Sequence, residues 1–576
     1  MIDRTALRPD TLVRAGLVLT ATGIVSAASV RYALDETNEL PLAYGFMLFL
    51  GLIVLASARR QQSIAPPVAF GAFAATYVGA TFSGGGDELG IVLYLAAAAL
   101  AYVVTPRSFR TLAVAAFALW TPALRLFGPD PTGGLFPASL AITAVLALAF
   151  LVVVLIVRDA DPGEQLRRVG LGLLAVACVA SVVERHLVVA SLRLAPDDLM
   201  AMVVVVALPI IAITRVRPQT RDALATGLAL AVFALVAIAD ISGKWYHVDA
   251  VTVPHRAAEL LLNGQDPYRD LDVAEALAHF GVPNTLSTHL ENGSELHSLN
   301  YPALSFLSVT PFVALGLADI RVIYLGELVI LVLICIRRVR VPWRPLIAAA
   351  VVGNTIIIRQ NILAGVDPLW ALLLSVGVLF IERPMLSAVA IGLAAADRQP
   401  AWFFVPFYLL IVWKRDGRRE ALRRGATAAA AFVIPNLPFV IADPGPYWSG
   451  VSAPMLGALE AYGVGFVRFG MDGVLPLWPR GVYGLLSLVA FVALFGLLAR
   501  RWRDLPNAAL VFPSVALWFA WRSLQNYFAF VGVFALIGDE FVLGGTDPAV
   551  DPSGVAPPAL ARGPAQVQDL KELPRD

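Results

Sequence analysis

Cysteine is almost missing from this chain: two residues in 576, Cys178 and Cys335, both inside apolar runs. A disulfide framework and a cysteine metal site are thereby excluded. Lysine is nearly as scarce, limited to Lys244, Lys414 and Lys571, so that 40 of the 43 basic residues are arginine. No basic run with interleaved aromatics occurs, which leaves nucleic acid without a binding surface. Charge of either sign is short, 15% of residues with a net of +1. Soluble domains carry about 25%, so a soluble globule of this length is excluded. The first apolar stretch also lacks a small-residue cleavage exit and runs straight into another, unlike a removable signal.

What fills the chain is apolar: 58% hydrophobic residues and a mean hydropathy of +0.75. At about 20 residues per crossing, that composition furnishes roughly seventeen spans, and a window-by-window reading gives about nineteen apolar segments. The sequence predicts an all-α, polytopic integral membrane protein with about 17–19 transmembrane or re-entrant helices. Arg59 and Arg60, Arg107 and Arg110, Arg158, Arg167 and Arg168, and Arg215, Arg217 and Arg221 all follow even-numbered segments, while acids follow the odd ones. By the positive-inside rule the N-terminus is cytoplasmic and residues 242–300 form an outer loop of a plasma-membrane protein. Residues 1–222 read as a block of eight spans with no assignable role. Residues 223–543 form a second membrane domain, and 544–576, rich in Pro, Gly and charge, read as a disordered cytoplasmic tail.

The loop 242–300 holds five of the six histidines. Helical spacing predicts a short surface helix over 254–263, with Pro254 in its first turn, and a second over 272–280. Further spans are expected at 322–336, 345–358, 364–381, 384–396, 401–413, 425–441, 481–498, 505–521 and 527–543. The basic cluster from Lys414 to Arg424 belongs in the cytoplasm, and counting from it puts Arg337, Arg338 and Arg500 there too. That count closes only if 302–318, interrupted by Pro302 and Pro311, is re-entrant. Tyr447, Trp448 and Trp478 in the outer segment 442–480 suit an interfacial aromatic belt.

Three arginines break the charge rule. Arg359, Arg398 and Arg522 each stand at the outer end of a span among polar residues, where an unpaired charge costs roughly 2.5–3.5 kcal/mol. Guanidinium forks in that position suit an anionic head group such as a phosphate; pairing with Asp367 or Asp397 is the structural alternative. Asp249 and Asp240, at the start of the outer loop, are the candidates for a general base. Tyr246, His247, His255, Tyr268, Tyr301, Gln360 and Asn361 are candidate substrate contacts. The histidine spacings match no metal-ligand motif, so no metal or other cofactor is expected.

The order of these motifs resembles glycosyltransferase family 87, the polyprenyl-phosphate-mannose-dependent mannosyltransferases of the GT-C superfamily. Asp249 followed by Leu261-Leu262-Asn263-Gly264-Gln265-Asp266-Pro267-Tyr268 is similar to that family's first outer loop. Tyr301-Pro302-Ala303-Leu304, with Pro311-Phe312, resembles its next segment, although a second proline is usual where Ala303 stands. Arg359-Gln360-Asn361 and Asp397-Arg398-Gln399-Pro400 resemble two later steps, in which glycine is common at position 359 and lysine at 398. The resemblance spans about residues 223–543. It implies a GT-C-like core with short amphipathic outer-loop helices, moving a hexose from a polyprenyl-phosphate donor to a lipid or glycan acceptor at the outer face, with a first-loop Asp as base. A transporter or flippase of polyprenyl-phosphate-linked sugars, surrounded by the same membrane lipids, is the reading from another class; its inverted repeats are not evident.

Overall fold

A computed structural model describes residues 218–538, apart from 243–245, 247, 284–286, most of 340–364, 458, 464, 472–474 and 503–507. The block 1–217, the tail 544–576 and, with them, the count of 17–19 helices lie outside the described residues. What is described is mostly helical, and two helices are long and apolar enough to cross a membrane.

In chain order, α1 (Pro218–Ser242) leads to the loop helices α2 (Asp249–Leu262), α3 (Pro267–Asp270) and α4 (Val273–His279). Short helices α5 (Leu304–Leu307) and α6 (Thr310–Ala314) follow, then α7 (Arg321–Arg338). The core continues with α8 (Leu369–Leu379), α9 (Pro384–Asp397), a 3-10 turn (Gln399–Phe403), α10 (Val405–Asp416) and α11 (Arg418–Ala442). Last come α12 (Pro444–Leu456), β1 (Tyr462–Gly463), α13 (Val467–Met471), α14 (Arg480–Arg501), α15 (Ala508–Trp518), β2 (Arg522–Ser523) and α16 (Val531–Ile537).

Helix α9 is the hub, lying against α8, α11 and α5. Its small residues allow this: a Cβ on Gly392 would come within 2.1 Å of the Ala428 carbonyl oxygen of α11. Leu and Val line α8 and α15, and both are almost wholly buried. By contrast α11 and α14 expose Ile434, Ile441, Leu485 and Val492 by 59–73%.

Several expectations need correction. The first loop helix begins at Asp249, not 254, so Pro254 sits inside it. Val253, which cannot cap, stands directly before Pro254, whereas Gly264 at φ 76° stops the helix where expected. The second loop helix is as expected, with Asp272 Oδ1 accepting the Glu275 N–H at 3.1 Å. Segment 302–318 forms no helix long enough to cross a membrane: α5 and α6 have 4 and 5 residues, because Pro311 cannot extend α5. The segments at 384–396 and 401–413 have about the expected length, as helices over 384–397 and 405–416, whereas among the described residues those at 364–381, 505–521 and 527–543 are α-helical over only 7–11 residues. Described apolar chain such as residues 528–530 is packed without being helical, which hydropathy does not distinguish from helix. The segment 345–358 lies largely outside the described residues. The aromatic belt also divides: Trp448 is exposed, but Tyr447 is buried against Tyr268, ring centroids 4.9 Å apart.

Arg338 donates to the Leu379 carbonyl at 3.0 Å, and Arg424 donates to the Ile381 carbonyl at 2.8 Å and to Asp416 at 3.0 Å. The end of α7, the α8–α9 turn and the α10–α11 turn therefore share one end of the bundle. Asp249, Arg398 and Arg522 gather at the other.

Candidate functional site

Three distant stretches meet at a cavity of about 380 Å³. The start of α2 contributes Asp249, the α9–3-10 junction contributes Arg398 and Gln399, and β2 contributes Arg522. Thr288, His289, Asn300, Tyr301, Glu460 and Asn526 are among its other polar lining residues. Such a volume falls within the range of small-molecule sites.

Asp249 is at the first turn of α2, and its accessible surface faces the cavity. Thr288 donates its hydroxyl to Asp249 Oδ2 at 2.7 Å and its backbone N–H to the same oxygen at 3.0 Å. Enclosure by protein pushes the Asp249 carboxyl above the usual carboxylate range, while the Thr288 bonds and the charge of Arg522 oppose that shift. A carboxylate so placed is a proton acceptor poised nearer neutrality than a solvated one.

Arg398 follows the last residue of α9, where Pro400 forbids continuation of the helix. Its guanidinium lies 3.8 Å from the Tyr301 ring centroid, and its Nε is 3.9 Å from Asp367 Oδ2. Asp367, Asp397 and Glu327 are all buried beside it. Arg398 is itself only 4% exposed. The pairing with Asp367 considered from sequence is thus present, at the edge of ion-pair range, while Nε and Nη2 of Arg398 donate no hydrogen bond among the described residues. Tyr301 is held in turn by neighbours: Tyr268 donates to the Tyr301 carbonyl at 2.8 Å, and Gln399 Nε2 donates to the Asn300 carbonyl at 2.6 Å. Burial pushes the Tyr301 phenol up to about 12.

Arg522 differs. It makes no ion pair among the described residues; its Nη1 donates to the Glu460 carbonyl at 3.2 Å, and its Cζ lies 5.9 Å from the Tyr462 ring centroid. Parallel pairing of β2 with β1 fixes its backbone. The Gly465 N–H donates to Ser523 Oγ at 2.8 Å, and Trp521 Nε1 donates to the Leu459 carbonyl at 2.7 Å. Glu460 N–H donates to the His289 carbonyl at 3.1 Å, next to Thr288. The carboxylate of Asp249 and the cation of Arg522 are therefore joined through one hydrogen-bonded frame.

A second, apolar groove of about 520 Å³ adjoins the cavity and shares Gln399, Pro400, Pro454, Arg522 and Tyr527 with it. Phe403, Leu488, Phe491 and Leu517 line it, with Arg480 at the start of α14.

Three candidate contacts lie elsewhere. Tyr246 and His255 form a buried pair, Oη to Nδ1 2.8 Å, packed on Phe280, and Tyr246 also accepts the Ile320 N–H at 3.0 Å. Burial lowers the His255 pKa and keeps the ring neutral. Tyr268 is buried among Phe306, Phe439 and Tyr447. These three polar side chains are consumed in packing the loop onto the helices, so they are corrected from substrate contacts to supports. His279 pairs with Glu259 and His297 with Asp272. Arg359, Gln360, Asn361 and His247 lie outside the described residues, as does the side chain of Asp240. Thr288 and Glu460 were missed by sequence reasoning, since a single Thr in a polar loop and a single Glu in an aromatic one carry no spacing signal.

The chain matches no known family model, no curated protein and no solved structure. The likeness to glycosyltransferase family 87 accordingly rests on the four motifs alone.

Proposed function

We propose that this chain is an integral-membrane glycosyltransferase that moves a hexose, mannose in the first instance, from a polyprenyl-phosphate donor to a lipid or glycan acceptor at the outer face of the membrane. The observation that carries this reading is the meeting of Asp249, Arg398 and Arg522 at one cavity, continuous with an apolar groove. A phosphate beside Arg522 leaves the polyprenyl chain beside Phe403, Phe491 and Leu488, and the sugar beside Asp249.

In the reaction Asp249 takes the proton of an acceptor hydroxyl, whose oxygen attacks the anomeric carbon as the bond from that carbon to the phosphate oxygen breaks. The departing polyprenyl phosphate gains one negative charge. Arg522, without a carboxylate partner among the described residues, is the cation that stabilises it. Arg398 supports the same end of the cavity through Tyr301, and Asp240 is the reserve base.

Membrane placement is supported by α11 and α14, whose most apolar stretches are only 22% and 17% buried. A core helix of a soluble protein buries most of such a stretch, and side chains such as Ile434 and Leu485 exposed to water would form a large adhesive patch. The 22 residues of α14 reach about 33 Å, matching a hydrocarbon thickness of about 30 Å. Arginines at the ends of α7, α11 and α14 away from the cavity favour a cytoplasmic face there and an outward cavity. With α5 and α6 too short to cross, the re-entrant count then closes. Short helices such as α8 and α9 end at the cavity, where non-helical backbone within the membrane is tolerated.

Asp249→Asn is expected to abolish transfer of mannose from polyprenyl-phosphate-mannose to octyl mannoside while the protein stays folded. Undiminished transfer by the folded variant would remove the assignment.

A further inference from the structure

Among the described residues, the Asp249 carboxylate takes its long-range hydrogen bonds from one residue, Thr288. The segment that supplies Thr288 is a tight turn: Leu296 N–H donates to the Thr288 carbonyl at 2.8 Å, Leu290 N–H to the Ser294 carbonyl at 2.7 Å, and Gly293 takes φ 81° at the tip. His289 is bridged to Glu295 within the turn, and Leu290 is bridged to Leu459 outside it. Thr288 is therefore held from two directions, and it turns both of its donors onto one oxygen of Asp249.

We propose that Thr288 is the positioning residue of Asp249: by occupying Oδ2 with two hydrogen bonds, it presents Oδ1 to the acceptor hydroxyl. The idea rests on the transferase reading above. Two donors on one oxygen fix the carboxylate plane, which a carboxylate on the first turn of a helix would otherwise be free to rotate. They also stabilise the charged form against the enclosure that disfavours it, so the base is available at lower pH than burial alone would permit. The neighbouring bond from Glu460 to His289 carries the same turn to Arg522, so base and cation keep their separation.

The test uses the full chain in detergent and needs no substrate for its first measurement. Infrared difference spectra between the parent and Asp249→Asn isolate the protonated carboxyl band of Asp249, whose midpoint is followed against pH. In Thr288→Val, which keeps shape and the backbone donor, the midpoint should rise by roughly 1 pH unit, the effect of losing one hydrogen bond to a charged group. Thr288→Ser should restore it. With polyprenyl-phosphate-mannose and octyl mannoside, the acid limb of the Thr288→Val rate profile should move by the same amount. Its plateau should fall about tenfold with the donor KM unchanged, as misorientation predicts. If Thr288 merely fastens the loop, Thr288→Val lowers the thermal midpoint and leaves the Asp249 titration where it was, which overturns the proposal. Should Asp249→Asn abolish transfer while Thr288→Val matches the parent, the base stands and its positioning by Thr288 falls. Full transfer by Asp249→Asn removes both.

Discussion

Replacing Arg522 by glutamine tests the division of labour between the two described arginines. In the parent, Arg522 has no carboxylate partner among the described residues and is tied to a backbone carbonyl at 3.2 Å. Its charge is therefore available to a ligand. A phosphate in contact at about 4 Å would gain roughly 4 kcal/mol at an effective dielectric of about 20. Because the cavity is open and Arg522 is half-buried, the measurable share is nearer that of a charge-assisted hydrogen bond, ~2 kcal/mol. That corresponds to about a 30-fold rise in Kd. Isothermal titration with farnesyl phosphate, a short polyprenyl phosphate, measures it directly, and the salt dependence of binding should flatten in Arg522→Gln. Arg398→Gln should behave otherwise. Arg398 is 4% exposed, stacked on Tyr301 and surrounded by Asp367, Asp397 and Glu327. Removing it strands buried carboxyls at a cost of about 3–5 kcal/mol, so the main effect is a lower thermal midpoint. A Kd for Arg522→Gln within threefold of the parent would refute the reasoning. Equal loss of affinity in both variants without a change in stability would refute it as well.

Two further outcomes follow from the frame around the cavity. Gly465→Ala would place a Cβ 2.0 Å from the Trp518 carbonyl oxygen, so the β1–β2 clasp must open; farnesyl phosphate affinity should fall at least tenfold, and hydrogen exchange at residues 521–523 should rise. Asp367 caps α8 through Leu369 N–H at 2.7 Å and lies beside Arg398. Asp367→Ala should cost about 3 kcal/mol or more, read as a loss of thermal midpoint larger than that of Asp367→Asn, which retains the cap.

Helix breakers and charge placement were legible in the sequence, because each acts on the few residues around it. Gly264 and Gly281 end the loop helices at φ 76° and 68°, Asp272 caps α4, and Pro302 with Pro311 keeps α5 and α6 short. Arg398 and Arg522, singled out because they break the charge rule, both line the cavity. Helix lengths were less legible. Hydropathy reports burial, and described apolar chain such as residues 528–530, just before α16, is buried without being helical.

The sequence by itself thus determined the chemistry available and the apolar, helical character of the chain, both being properties of composition and local spacing. Only the tertiary structure decided which polar groups are spent. Tyr246, His255 and Tyr268 look as reactive in a row of letters as Tyr301, yet they are used up in holding the loop, because a buried hydroxyl or imidazole must find the nearest partner. The separation of Arg398 from Arg522 has the same origin. Both are guanidiniums at the expected ends of apolar segments, but the fold sets buried acids behind one and a backbone carbonyl beside the other.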